Sequence, residues 1–260
     1  QGDINDSGAV SATLSGTEAA IYSIGIIRQF PSKGITFENL HFEGARDCMC
    51  QCEDAGVDRF ILMSANGVKP DGTDYQKTKW LAEQYLKNTA LKWTIFRPSL
   101  VFGDPRGGNR PEFCTQLKKD LIRLPIPAPL FYEGLVPVNA GKFTMSPIHV
   151  KDVASIFVKS ITSEDTILRT FELGGPHTLD WKEIIQTIAK GAGKNKWTIP
   201  APAIVLKSVA ALFDRFSWFP ITRDQLTMLM EGNTCDTSEL FVKLEVEPIV
   251  FAGQELSYLK

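Results

Sequence analysis

Tyr75 and Lys79 stand four residues apart, with Ser64 eleven residues upstream and Arg97-Pro98 downstream. Four residues is about one helical turn, so the phenol and the ammonium share a face and point into the same cleft. An ammonium within a few ångströms of a phenol favours the phenolate, which lowers the tyrosine pKa from about 10 towards neutral pH. A tyrosine tuned in this way can give or take a proton at the oxygen of an alcohol or a carbonyl. Ser64 closes an apolar run, where its hydroxyl can donate to the same oxygen as charge changes there. Each has a plainer alternative: an exposed aromatic and lysine on a helix, and a serine that ends a strand.

The elements that must hold these residues alternate strand with helix. Residues 19–25 (AAIYSIG) read as a buried strand. Thr36 is a candidate N-cap for a helix to Ala55, with Gly56 as its C′ residue. Within it Phe37, Leu40, Gly44, Cys48, Cys52 and Ala55 recur at three- and four-residue spacing. That period makes Cys48 and Cys52 part of a buried stripe rather than a metal or redox site. Residues 59–64 (RFILMS) form the next strand, 75–88 a helix and 93–97 (WTIFR) a third strand. This β-α-β-α-β order predicts a parallel, doubly wound α/β sheet with right-handed crossovers. Ligands of such sheets bind at the carboxyl ends of the strands, here Gly25, Ser64 and Pro98-Ser99.

Past Pro98 the pattern loosens. Residues 103–109 are glycine-rich loop, 111–123 a helix, and 124–137 a stretch rich in proline and aromatics. A strand at 143–148, a helix at 150–160 and a strand at 170–173 follow. Helices at 180–192 and 203–216, a short segment at 196–199, and a helix from Thr222 to about Glu231 complete the chain. The expected organisation is a partial dinucleotide-type domain over 1–105, rejoined by 143–173. Residues 106–142 and 174–260 then make a smaller lobe for substrate or partner.

Composition narrows the class. Of 260 residues 43% are hydrophobic and 22% charged, and the net charge of −2 gives no electrostatic ground for binding nucleic acid. No apolar run reaches the roughly 18–20 residues of a membrane span. Five cysteines, three of them at 48, 50 and 52 and too close to pair with one another, indicate a reducing compartment, cytoplasm or organelle matrix. Residues 200–220 are apolar, with Phe213, Phe216, Trp218 and Phe219 near their end. They are either a core helix or a peripheral docking patch for a membrane-bound complex.

Taken together, these motifs resemble the short-chain dehydrogenase/reductase superfamily in its extended and atypical, epimerase/dehydratase-like branch. Ser64, Tyr75 and Lys79 match the family's catalytic set, in which the lysine also holds the nicotinamide ribose. Gly2-Asp3-Ile4 resembles the segment that contacts the adenine, and 20–25, with Ile24 and Gly25, the cofactor-facing end of the fourth strand. Arg97-Pro98-Ser99-Leu100-Val101-Phe102-Gly103 matches the motif that borders the nicotinamide, which brings in Pro98, Ser99 and Val101. The resemblance implies NAD or NADP as cofactor, a small-molecule substrate, and an oxidoreductase or epimerase. Residues 36–46, 94–103, 171–175 and 221–225 resemble most a group containing bacterial relatives of the nucleotide-binding accessory subunit of respiratory complex I. That similarity implies a second role, dinucleotide binding without turnover inside an assembly.

Two departures stand out. His41 occupies a position where extended enzymes often carry Asn. No strand here is followed by Gly-x-x-Gly-x-x-Gly, since 103–108 and 191–193 lack the strand-turn-helix setting. The two β-α units that carry such a loop are expected to precede Gln1, the sequence being read as the remainder of a longer protein.

Overall fold

The computed structural model describes residues 2–107, 111–213 and 222–260. In chain order the elements are α1 (Ser7–Leu14), β1 (Ala19–Tyr22), α2 (Gly44–Ala55), β2 (Arg59–Met63), α3 (Asp74–Lys87), β3 (Lys92–Pro98) and β4 (Val101–Phe102). Next come α4 (Phe113–Leu117), β5 (Ala128–Tyr132), β6 (Thr144–Met145), β7 (Ile148–His149), α5 (Val150–Thr162) and β8 (Arg169–Leu173). The last are β9 (Leu179–Asp180), α6 (Trp181–Gly191), β10 (Thr198–Pro202), α7 (Ala203–Phe213), α8 (Arg223–Glu231) and α9 (Ser238–Lys243).

The chain divides into two compact units, the first 1–98 with 155–172 and the second 99–154 with 173–260. The sequence reading places these boundaries near 105 and 143. They move because β4 and β7 pair with each other (Val101 with Ile148, Phe102 with His149), so both strands belong to the second unit.

The first unit is built on a sheet of order β1-β2-β3-β8. Its pairs β1/β2 and β2/β3 are parallel, in a register that sets Ile21 beside Ile61 and Leu62 beside Ile95. Phe60, Ile61 and Ile95 are fully buried, as strands covered on both faces require. Arg59 is buried too. Its guanidinium donates to the carbonyls of Lys92, Ser160 and Ile161 and to the hydroxyls of Thr94 and Thr166, knitting strand ends to the end of α5.

The second helical segment departs from the regular pattern. Glu38–Glu43 is a π-helical turn and runs directly into α2. The extra residue per turn rotates the chain, so His41 enters the interior and Ala55 is left exposed. The sequence period, read as uninterrupted, missed this. Its other features are present: Thr36 accepts from the Asn39 N–H, Gly56 takes a left-handed conformation (φ 72°), and Cys48 and Cys52 pack in the core with Met49.

The second unit packs around Trp181, whose neighbours include Phe131, Phe143 and Phe113. Asp180 and Thr222 cap α6 and α8 in capping boxes with Glu183 and Gln225. The expected helix 111–123 is split into α4 and a π-helical turn at Lys118–Ile122. The expected strand 143–148 is two short strands. Gly108-Asn109 and residues 214–221, with Phe216, Trp218 and Phe219, lie outside the described residues.

Arg97, the first residue of the Arg97–Gly103 motif, forms an ion pair. It grips the fully buried Glu83 carboxylate with two bonds, 2.9 and 2.6 Å. Removing one partner of such a pair strands the other charge. Glu83→Ala should therefore destabilise the fold by about 3 kcal/mol, read as a lower urea midpoint with an unchanged slope.

Candidate functional site

The site is built at the carboxyl end of β2. Beyond Met63 the chain turns through a polar loop that α3 holds in place. Thr73 caps α3, accepting from the Gln76 N–H at 3.4 Å, while Gln76 Oε1 accepts from the Thr73 N–H at 2.9 Å. The other end of the Gln76 amide donates to Gly67 O at 2.9 Å, tying helix start to loop. Asn66 N–H donates to Pro98 O, and Ser64 N–H to Phe96 O, so the loop is also anchored to β3.

This fixes Tyr75 in the first turn of α3, Lys79 one turn on and Glu83 a turn further, all on one face. The Lys79 ammonium is buried and donates to Met63 O at 3.0 Å. It lies 5.9 Å from the centroid of the Tyr75 ring. Gly25 comes from the end of β1: a Cβ built there would stand 3.6 Å from Lys79 Nζ and 3.9 Å from His41 Nε2. Lys79 thus lies near the Tyr75 ring, Gly25 and the carboxyl end of β2.

The electrostatics differ from expectation. Burial pushes the Tyr75 phenol up to about 12 rather than letting the ammonium pull it down. Burial likewise lowers Lys79 to about 8, opposed by the Glu83 carboxylate. Desolvation sets the direction of both shifts, and the ammonium sits over the ring and donates a hydrogen bond to Met63 O.

His41 is the principal residue that sequence reasoning leaves without a role. Its Nε2 accepts from the Ile26 N–H at 3.1 Å, which assigns the ring proton to Nδ1, 3.3 Å from Thr78 Oγ1. The Thr78 hydroxyl in turn donates a hydrogen bond to Asp74 O at 2.8 Å. The ring stacks on Phe37 and meets Tyr75 edge-on, centroids 5.1 Å apart in both cases. Burial first, then the Lys79 charge, lowers the imidazole to about 3, so it stays neutral. The available signal was a histidine, one of three in the chain, inside an apolar helical stripe.

Among the described residues six buried side-chain polar atoms have no hydrogen-bond partner, and two of them are donors in this region, the Ser64 hydroxyl and the Asn66 amide nitrogen. Both stand just past β2. Buried polar atoms are nearly always paired, so donors left free at a strand's carboxyl end fit the oxygens of a ligand.

The remaining expected residues lie as follows. Asp3 Oδ1 accepts from the backbone and side-chain nitrogens of Asn5 at 2.9 and 2.8 Å. Ile4 and Ile24 pack against the first unit's core, and Pro98 is buried at the end of β3. Ser99 and Val101 belong to the second unit, where the Ser99 hydroxyl donates to Asn233 O at 2.7 Å. His149 Nδ1 accepts from Lys151 N–H and Asp152 from Ile249 N–H, both serving the backbone. The five cysteines are free, and among the described residues no His, Cys, Asp and Glu cluster has the makings of a metal site.

Comparison with known proteins fits this geometry. Residues 1–120 match the NAD(P)H-binding family model. The chain is 25% identical over 99% of its length to the mitochondrial NADH-ubiquinone oxidoreductase 40 kDa subunit of Neurospora crassa, and spans 64% of that protein. It is 23% identical over 92% of its length to UDP-glucose 4-epimerase of Vibrio cholerae, covering 75% of that enzyme. The UDP-glucuronic acid 4-epimerase of Bacillus cereus, solved with UDP-glucuronic acid and NAD, superposes with a TM-score of 0.65 at 17% identity, over 100% of this chain and 81% of that one. Residues 1–120 thus match an NAD(P)H-binding domain, and the chain as a whole has the Rossmann-like α/β fold seen in that epimerase.

Two pH effects follow. Between pH 8 and 10 the unfolded chain keeps the Lys79 proton, with a pKa near 10.4, while the folded protein has released it, so rising pH stabilises the fold. Across that interval the wild type should gain about 2 kcal/mol of unfolding free energy relative to Lys79→Met. On the acid side the unfolded chain takes up a proton near pH 6.5 that the folded His41 refuses. The wild type should therefore lose stability relative to His41→Asn as pH falls from 6.5 towards 3, read from paired melting curves.

Proposed function

We propose that this chain forms the nicotinamide end and the acid/base set of an NAD(P)-dependent oxidoreductase or epimerase in a reducing compartment. The observation that carries the reading is the buried, unpartnered Ser64 hydroxyl one residue past Met63, whose carbonyl accepts a hydrogen bond from Lys79. In this reading Ser64 donates to an oxygen of the substrate, with the Asn66 amide as a second donor. Tyr75 gives or takes the proton at that oxygen. Lys79 would hold the ribose hydroxyls, exchanging Met63 O for them, and its charge would then favour the phenolate that burial alone opposes. The dinucleotide, when bound, supplies hydride transfer. His41 keeps Tyr75 and α3 in place without taking a proton itself.

A second reading has its own support. Tyr75 held near 12 is a neutral phenol at working pH, as suits a protein that binds a dinucleotide without using it. The 40 kDa subunit named above belongs to a respiratory oxidoreductase, and in this reading the chain is an accessory part of such an assembly. Residues 200–220 would then make peripheral contact; within them Ile204 and Val205 are exposed, and 214–221 lie outside the described residues.

Hydride exchange between labelled NAD(P)H and candidate nucleotide sugars, measured with wild type, Tyr75→Phe and Ser64→Ala, separates the two. In the enzyme reading Tyr75→Phe lowers the rate by about 10²–10⁴-fold and leaves dinucleotide affinity near wild type. Binding without turnover by the wild type favours the accessory role, and turnover indifferent to Tyr75→Phe removes Tyr75 from the chemistry.

A further inference from the structure

The second unit carries an apolar surface that its own core does not use. β10 pairs with β5 along one edge. Around this pair Trp197 is 81% exposed, Ile204 74%, Val205 59%, Ile126 57%, Ile199 52% and Leu124 43%. The segments leading into the two strands are held together: Ala128 N–H donates to Trp197 O, and Lys196 Nζ to Leu124 O, each at 2.7 Å. Leu124, Ile126 and Trp197 are therefore brought close together, with Ile199 further along β10 and Ile204 and Val205 at the start of α7 directly after it.

Cations border this surface. Segments 118–126 and 194–199 contain Lys118, Lys119, Arg123, Lys194 and Lys196 against one carboxylate, Asp120, in a chain whose net charge is −2. They come close enough to affect one another. Burial first, then the Arg123 and Lys194 charges, lowers Lys118, and burial followed by Lys194 lowers Lys196.

The free edge of β10 argues against a protein strand as occupant. Trp197 turns its carbonyl towards β5, so alternation turns 198, 200 and 202 outwards. Two of these are Pro200 and Pro202, which have no N–H to offer an added strand. The same prolines reduce the number of donors that would lose water at a membrane interface. An exposed tryptophan among branched aliphatics, bordered by lysines, matches the layered chemistry of a lipid interface.

We propose that this face of the second unit docks on an anionic lipid bilayer. Trp197, Ile126, Ile199 and Ile204 enter the headgroup region, while Arg123, Lys194 and Lys196 face the phosphates. This goes beyond the site at β2, and it stands or falls independently of dinucleotide binding.

Flotation of the whole chain with vesicles of phosphatidylcholine alone, or of equal parts phosphatidylcholine and phosphatidylglycerol, tests it. Binding is expected to the anionic vesicles and to weaken with salt. Lys194→Gln with Lys196→Gln should weaken it about 25-fold, about fivefold per charge. Trp197→Ser should lower it as well, with dinucleotide affinity unchanged in both variants and melting temperature unchanged in Trp197→Ser. No binding, equal binding to neutral vesicles, or binding indifferent to these substitutions would overturn the proposal. So would a wild-type dimer that Trp197→Ser dissolves without any vesicle binding, which would give the face to a second copy.

Discussion

Taking a lysine ammonium out of water costs several kcal/mol unless other oxygens replace its hydration, and the first unit is arranged around that requirement. Met63 O, at the end of β2, accepts a proton from Lys79, and Glu83 lies one turn along the same face of α3. Glu83 is itself buried and needs a cation, which Arg97 supplies from β3. One line of charge thus couples the end of β2, the buried face of α3 and the end of β3. Its cost is visible in the lowered proton affinity of Lys79. A charge kept at that cost is suited to a ligand that makes better use of it.

The imidazole of His41 extends the same logic with a neutral group. It gives one nitrogen to the loop after β1 and turns the other to Thr78 on α3, while Phe37 and Tyr75 enclose its faces. The π-helical turn at Glu38–Glu43 makes this possible, since a regular helix would carry position 41 away from α3. Local irregularity of backbone often marks functional sites, and here it delivers the side chain that holds the tyrosine.

Much of the first unit was legible in the sequence because its signals are local. Thr73 with Gln76, Gly56 after α2, and the apolar run of β2 each fix an element by their own chemistry. The four-residue spacing of Tyr75 and Lys79 sufficed to put them on one face of α3. The free Ser64 hydroxyl and the Asn66 amide were not legible as donors, because whether a polar atom finds a partner depends on residues far away in the chain. The boundaries of the units shifted for a similar reason, the two-residue pairing of β4 with β7 being too short to leave a periodic trace.

The sequence by itself determined the order of elements, the parallel sheet and the shared face of Tyr75 and Lys79, since hydrophobic period and helical spacing act between near neighbours. Tertiary structure decided the protonation of that pair. The ammonium that should have acidified the phenol is turned to Met63 O, and both groups are drawn from water, so burial raises the one and lowers the other. Spacing sets which groups can meet. The solvent each one loses, and the direction in which each donates, are properties of the packed molecule.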